Sequence, residues 1–182
     1  MAFKDFLTAG LDRAGLKSQA EYVDFGFGQV EPNHLSAQRT GQIYAQLPAA
    51  PAITMLEQGQ FVKYDYANKE VNLTGKGEWM LVFNEIKLYD DRKQMYRDFA
   101  MKKEECVNGE IVPRVFKTNI GDIYTTNMVD STKEYTEGAL LKVNENGLLT
   151  TGGSLSDDMC WEVAMVYTLA DGQPAIKVMR VK

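Results

Sequence analysis

The chain has 182 residues and a formal net charge of −5, from 20 basic and 25 acidic side chains. This length suits one domain, or one domain with an extension. The acidic balance argues against a partner held by bulk electrostatics, such as duplex DNA or an anionic membrane. The sequence contains no run of about eighteen apolar residues, which a membrane-spanning helix would need. With two cysteines and a start that predicts no signal peptide, the sequence indicates a soluble, reduced, non-secreted globular protein.

Residues 1–56 predict an N-terminal arm. Residues 3–15 place apolar side chains on one face of a short amphipathic helix. Residues 40–56 contain no charged side chain and include Pro48 and Pro51, which block a regular helix or a central strand. This apolar stretch needs contacts that it cannot provide for itself, so it is either a long loop packed on the same subunit or an arm that crosses to a neighbouring one. The side chains expected to anchor such an arm on a partner are Ile43, Tyr44, Leu47, Ile53 and Leu56.

Residues 57–182 predict a mainly β domain. The alternation over residues 60–66 predicts a strand, with a turn at residues 67–69 before the strand resumes at residues 71–73. A second turn at residues 75–77 leads into the next predicted strand, at residues 79–83. Residues 90–103 (DDRKQMYRDFAMKK) are the one internal candidate for a helix, although the alternation from Met95 to Met101 equally predicts a strand.

The second half of this domain carries clearer turn signals. Asn108-Gly109 predicts a hairpin turn. Residues 111–116 (IVPRVF) predict a strand, and Pro113 within it indicates that this strand lies at a sheet edge. Residues 139–151 predict a hairpin turning at Asn146-Gly147, and residues 161–181 predict another turning at Asp171-Gly172. The pattern indicates an antiparallel β-sandwich or barrel-like domain with an extended N-terminal arm and at most one or two short helices.

Nothing in the sequence predicts catalysis, a cofactor or a metal, so we expect no enzyme. His34 is the only histidine and lies in the arm, which is a poor place to hold a catalytic base. Cys106 and Cys160 belong to no metal-binding motif and are expected to act as small buried apolar groups. Solvation and capping at the ends of elements account for three carboxylate doublets. These doublets are Asp90/Asp91, Glu104/Glu105 and Asp157/Asp158.

A further sequence pattern lies in three segments, residues 42–48 (QIYAQLP), 59–65 (GQFVKYD) and 137–143 (EGALLKV). It resembles the sequence pattern of the decoration or cement proteins of tailed-bacteriophage heads. The resemblance implies a homo-oligomer, assembled into the virion in the host cytoplasm. Its partners would be copies of itself and a major capsid protein or a neighbouring virion protein, without sequence-specific contact to nucleic acid and without a membrane.

Two other functions stay open. The protein could be a tail-tube or head–tail connector subunit, which would form a ring or a stacked assembly when purified. It could instead be a soluble β-barrel that binds or hydrolyses a small ligand or glycan, using Trp79 or Trp161 with one of the acidic doublets.

Overall fold

The computed structural model describes residues 28–34, 43–45, 47–84, 87–88, 97–98, 100–169 and 172–182, with the backbone alone at 33–34, 43–45, 87–88 and 97–98. The described strands are β1 (Val30–His34), β2 (Ile43–Ala45), β3 (Met55–Glu57), β4 (Phe61–Asp65), β5 (Glu70–Asn72), β6 (Trp79–Val82), β7 (Lys87–Leu88), β8 (Arg97–Asp98), β9 (Ala100–Lys102), β10 (Val115–Phe116), β11 (Ile123–Thr126), β12 (Leu140–Val143), β13 (Leu149–Thr151), β14 (Trp161–Thr168) and β15 (Pro174–Arg180).

Two antiparallel sheets form the body of the protein. A six-stranded sheet has the order β1-β11-β15-β14-β12-β13, and a five-stranded sheet has the order β2-β10-β6-β4-β5. Two short strand pairs, β3 with β9 and β7 with β8, complete the described sheet structure. The mainly β, antiparallel sandwich expected from the sequence is therefore confirmed.

The main core lies between the two sheets. Trp161 of β14 is fully buried, and its ring meets Tyr124 of β11 edge-on at 5.2 Å and Phe61 of β4 at 5.9 Å between centroids. Leu81 and Phe116 of the five-stranded sheet complete this contact between the layers. Because successive side chains of a strand point to opposite faces, the neighbours of these residues must face away from this core.

Those neighbours are also apolar, so the outer face of the five-stranded sheet forms a second core. Val62, Met80 and Val115 are fully buried there, although each follows or precedes a residue of the first core. Residues 47–57 supply part of the cover, since Ala49 bridges Val71 and strand β3 pairs with β9. An apolar sheet face cannot stay in water without a large free-energy cost, and this segment provides the layer that shields it.

The described part of the predicted arm thus lies on its own domain. Besides residues 47–57, strand β1 pairs with β11 and strand β2 pairs with β10, so both belong to the sheets of the sandwich. The boundary drawn after residue 56 falls inside strand β3. Over these residues the alternative of a loop packed on the same subunit describes the structure. The helix expected over residues 3–15 lies outside the described residues.

Both C-terminal hairpins are confirmed. Strands β12 and β13 pair in register from Leu141–Thr151 to Val143–Leu149, and β14 pairs with β15 over nearly its whole length. Gly147, in the first turn, has a φ of +76°, and a Cβ there would lie 2.2 Å from the Phe61 carbonyl oxygen. The turn therefore needs glycine at this position for two reasons, its backbone conformation and its close approach to β4.

Three local expectations were wrong or only partly right. In the described part of residues 90–103 the chain forms strands β8 and β9, which confirms the strand alternative there and contradicts the helix. Asn108 and Gly109 do turn the chain with positive φ values, but they lie in a 3₁₀ turn (Val107–Gly109) between strands that do not pair with each other. Pro113 precedes β10, which is an interior strand between β2 and β6, so no edge strand follows it.

Candidate assembly surface

The predicted arm anchors that the structure describes pack within their own chain. Leu56 is 1% exposed and belongs to the second core, while Leu47 and Ile53 are partly buried against the same cluster. Ile43 and Tyr44 lie in β2 beside β10, and their side chains are outside the description. Leu56 is therefore unavailable as a surface anchor in this conformation, because removing it from the core would expose its buried side chain to water.

Buried polar side chains hold the start of the described chain on the sandwich. The backbone N–H of Gly28 donates to Oε1 of the fully buried Glu57 at 2.9 Å, and that of Gln29 donates to Oδ1 of Asn127 at 2.8 Å. The Thr126 hydroxyl donates to the Gln29 carbonyl at 2.7 Å. Losing one partner of such a buried bond costs about 1–3 kcal/mol, so residues 28 and 29 are fixed to the domain.

At the other end of the chain, Arg180 links the two sheets. Arg180 is 8% exposed, and its guanidinium donates to the Thr118 carbonyl and hydroxyl and to Oε1 of Glu78, the last at 3.2 Å. Its Nε donates to the Lys182 carbonyl at 2.8 Å. Since Arg180 ends β15 and Glu78 directly precedes β6, this cluster joins the six-stranded to the five-stranded sheet.

Three of the residues singled out in the sequence, Asp157, Glu105 and Cys160, have contacts or burial that the structure defines. Asp157 accepts a bond from the Ser154 backbone at 2.8 Å within its own loop. Glu105 pairs with Lys102 at 3.3 Å. Cys160 is fully buried, and burial, followed by the charges of Asp157 and Glu162, raises the pKa of its thiol. His34 is described by its backbone in β1 alone, and Asp90/Asp91 lie outside the described residues. Within the described ranges no group of three or more His, Cys, Asp or Glu side chains is placed to hold a metal ion.

An open groove lies where the two sheets meet near β6 and β12. It has a volume of about 470 Å³, and Lys63, Trp79, Lys142, Asp157 and Asp158 are among its lining residues. The Lys63 ammonium sits 4.5 Å from the Trp79 ring centroid, so it covers one face of the ring. Trp161, by contrast, is fully buried in the main core. The groove therefore brings the Asp157/Asp158 doublet near Trp79, while Trp161 has a packing role.

The most unusual surface is the edge of β14 beyond Val163. Strand β14 pairs with β12 only near its start, at Glu162 and Trp161. Its last backbone bonds on this side are made by Val163, whose N–H donates to the Ala139 carbonyl at 3.0 Å and whose carbonyl accepts from the Gly138 N–H at 2.8 Å. Past this point its register with β15 shifts at Ala164, and among the residues the structure describes nothing pairs with its other side.

This free edge is apolar and uncharged. Residues 164–168 have the sequence AMVYT. Met165 is 43% exposed and Val166 51% exposed, although successive side chains on a sandwich strand normally alternate between core and solvent. We name residues 164–168 the β14 edge. Unpaired strand edges readily pair with other chains, and proteins commonly protect them with charges, prolines or covering segments. No charge or proline protects the β14 edge.

Sequence reasoning missed this surface for a physical reason. The strand was expected from its hairpin pattern, but alternation alone cannot show where a neighbouring strand ends. The signal available was the absence of charge in β14 from Val163 to its end at Thr168, which is unusual for a strand with a solvated face.

Comparison with protein-family models, with characterised proteins and with solved structures gives no match. Within the part of the chain that the structure describes, no helix is both long and apolar enough to cross a bilayer.

Proposed function

We propose that the protein is a structural subunit of a tailed-phage particle that decorates or cements the capsid, with copies of itself and a major capsid protein or a neighbouring virion protein as its partners. The observation that carries this proposal is the β14 edge. An exposed, uncharged strand edge is suited to binding protein, because the backbone of a partner strand supplies the bonds and apolar side chains supply buried area.

The basis of the proposal differs from the one that the sequence suggested. The apolar stretch at residues 47–56 covers its own sheet, so it no longer argues for contact with a foreign molecule. The proposal is now supported by the exposed edge together with the resemblance of the sequence pattern to phage head decoration proteins. The joining of the two sheets through Arg180 and the fixing of residues 28 and 29 by buried polar groups also suit a subunit that bears mechanical load.

The test is to locate the native protein in particles. An antibody against the purified chain is used on a density gradient of virus particles from the culture that carries the gene, and then for immunogold labelling in the electron microscope. We expect the protein to co-sediment with particles and the gold to decorate heads. Gold confined to tails or to the head–tail junction would favour the tail-tube or connector alternative, and absence from the particle fraction would refute a virion role.

A further inference from the structure

We propose that the β14 edge pairs antiparallel with the same edge of a second copy of this chain, about a two-fold axis at Tyr167. This inference rests on the proposed assembly function and names the partner of that surface. It joins two six-stranded sheets into one continuous sheet across the dimer.

The hydrogen-bond pattern of the hairpin determines which backbone groups are free. The N–H of Leu169 donates to the Gln173 carbonyl at 2.8 Å, which closes the hairpin. Bonded and non-bonded pairs alternate along an antiparallel ladder, so Tyr167 and Met165 exchange bonds with β15 while Thr168 and Val166 do not. Proline at position 174, opposite Thr168, agrees with this assignment because it has no N–H to donate. The N–H and C=O groups of Val166 and Thr168 therefore point away from β15.

These free groups favour one register. With the axis at Tyr167, Val166 of each copy lies opposite Thr168 of the other, and the two resulting pairs make about four backbone hydrogen bonds. The two Tyr167 side chains then lie on one face as a close, non-bonded cross-strand pair, an arrangement that stabilises sheets when the residues are aromatic. If the axis lay at Val166 instead, Val166 of one copy would pair with Val166 of the other. That central pair would use the free backbone groups of Val166 alone and leave out those of Thr168.

The charge pattern favours a second copy as the occupant. A strand meeting its own copy brings like charges together wherever it carries any, and residues 164–168 carry none. Beside the edge, the Lys177 ammonium lies 5.5 Å from the Tyr167 ring centroid. Each edge also offers donors and acceptors in equal number, so a two-fold axis matches every donor with an acceptor.

The first experiment measures the mass of the full-length protein by analytical ultracentrifugation from about 5 μM to about 1 mM. We expect a reversible dimer. Val166→Pro removes a donor that points away from β15, and proline is tolerated where a strand N–H faces solvent. It deletes one bond donor per copy, which should raise the dimer dissociation constant about thirtyfold. Val166→Thr is the matched control: it keeps the N–H and the β-branched shape and should dimerise within about threefold of the wild type. Circular dichroism melting checks that both variants fold.

The second experiment tests the register. Residues opposite each other in a non-bonded antiparallel pair have Cα atoms about 4.5 Å apart, which a disulfide can span. Tyr167→Cys should therefore give a covalent dimer on mild oxidation. In the same register the two Val166 Cα atoms are offset by two residues, about 9 Å apart, so Val166→Cys should stay monomeric under identical conditions. The unmodified protein, with Cys106 and Cys160, is the background control.

Three outcomes overturn the inference. The first is a monomer at every concentration, including a monomer whose Val166 and Thr168 amides are protected from hydrogen exchange by another part of the same chain. The second is a dimer whose affinity Val166→Pro leaves unchanged, and the third is cross-linking of the Val166→Cys variant rather than the Tyr167→Cys variant. A protein found in virus particles that fails these tests would retain its virion role and lose only the self-pairing, whereas a dimer absent from particles would do the reverse.

Discussion

Leu56→Ala tests whether residues 47–57 pack on their own domain or anchor on a partner. Leu56 is 1% exposed, lies in strand β3 and packs in the cluster on the outer face of the five-stranded sheet. If the segment were an arm that anchors on another molecule, shortening this side chain would have little effect on the isolated protein. If the segment is the cover of its own sheet, the substitution creates a cavity in the protein's second core.

The magnitude follows from the burial of the side chain. The substitution removes three carbon atoms from an apolar environment, at about 0.8 kcal/mol each, and the incompletely collapsed cavity adds to this loss. We expect the free energy of unfolding to fall by about 3 kcal/mol. For a domain of this length that corresponds to a melting temperature lower by about 6–12 °C.

The assay is urea denaturation of the full-length protein, with unfolding monitored by tryptophan fluorescence and circular dichroism. Leu155→Ala is the matched control, because it makes the same chemical change at a leucine that is 61% exposed, where the loss should stay below about 0.5 kcal/mol. Equal losses in the two variants would refute the assignment of residues 47–57 to the domain and would restore the free arm.

Further predictions concern single sites. Asp130→Asn should lower the free energy of unfolding by about 1 kcal/mol at pH 7, measured by urea denaturation, because the carboxylate accepts bonds from Thr132 and Thr150. The Thr132 hydroxyl, more than any other group, holds the pKa of Asp130 below its usual value; this stabilisation is therefore present above about pH 4 and lost as the pH falls through the lowered pKa, so a difference that persists at pH 2 would contradict the mechanism. Gly28→Ala should destabilise the protein by about 1–3 kcal/mol in the same assay, since a Cβ would lie 2.1 Å from the Met128 sulfur and 2.6 Å from the Gln58 carbonyl oxygen; a neutral effect would show that residue 28 is not held there. Cys160, buried and with a raised pKa, should react with a thiol reagent at pH 8 only on unfolding, and rapid modification of this thiol in the native protein would contradict its burial.

Local sequence signals were sufficient for the hairpins. The pairs β12–β13 and β14–β15 each join neighbouring strands through a turn of a few residues, so turn chemistry and alternation over about twenty residues contain the needed information. The same signals misled at Asn108-Gly109, where the positive φ values were predicted but the pairing partners of β9 and β10 lie far away in the chain. Turn residues specify a bend, whereas long-range contacts decide which strands it joins.

What the sequence determined by itself is the β character of the domain, the uncharged stretch at residues 40–56 and the absence of any recognisable catalytic motif, since these depend on composition and on neighbours in the chain. Only the tertiary structure decided what each apolar segment touches. From the sequence, residues 47–57 could have contacted a partner, but in the structure they cover the apolar outer face of the five-stranded sheet. The sequence likewise predicted β14 as an ordinary hairpin strand, whereas the structure shows that β12 pairs with it only near its start, so the edge beyond Val163 is exposed. Burial is a property of pairs of surfaces, and a single segment of sequence specifies only one member of each pair.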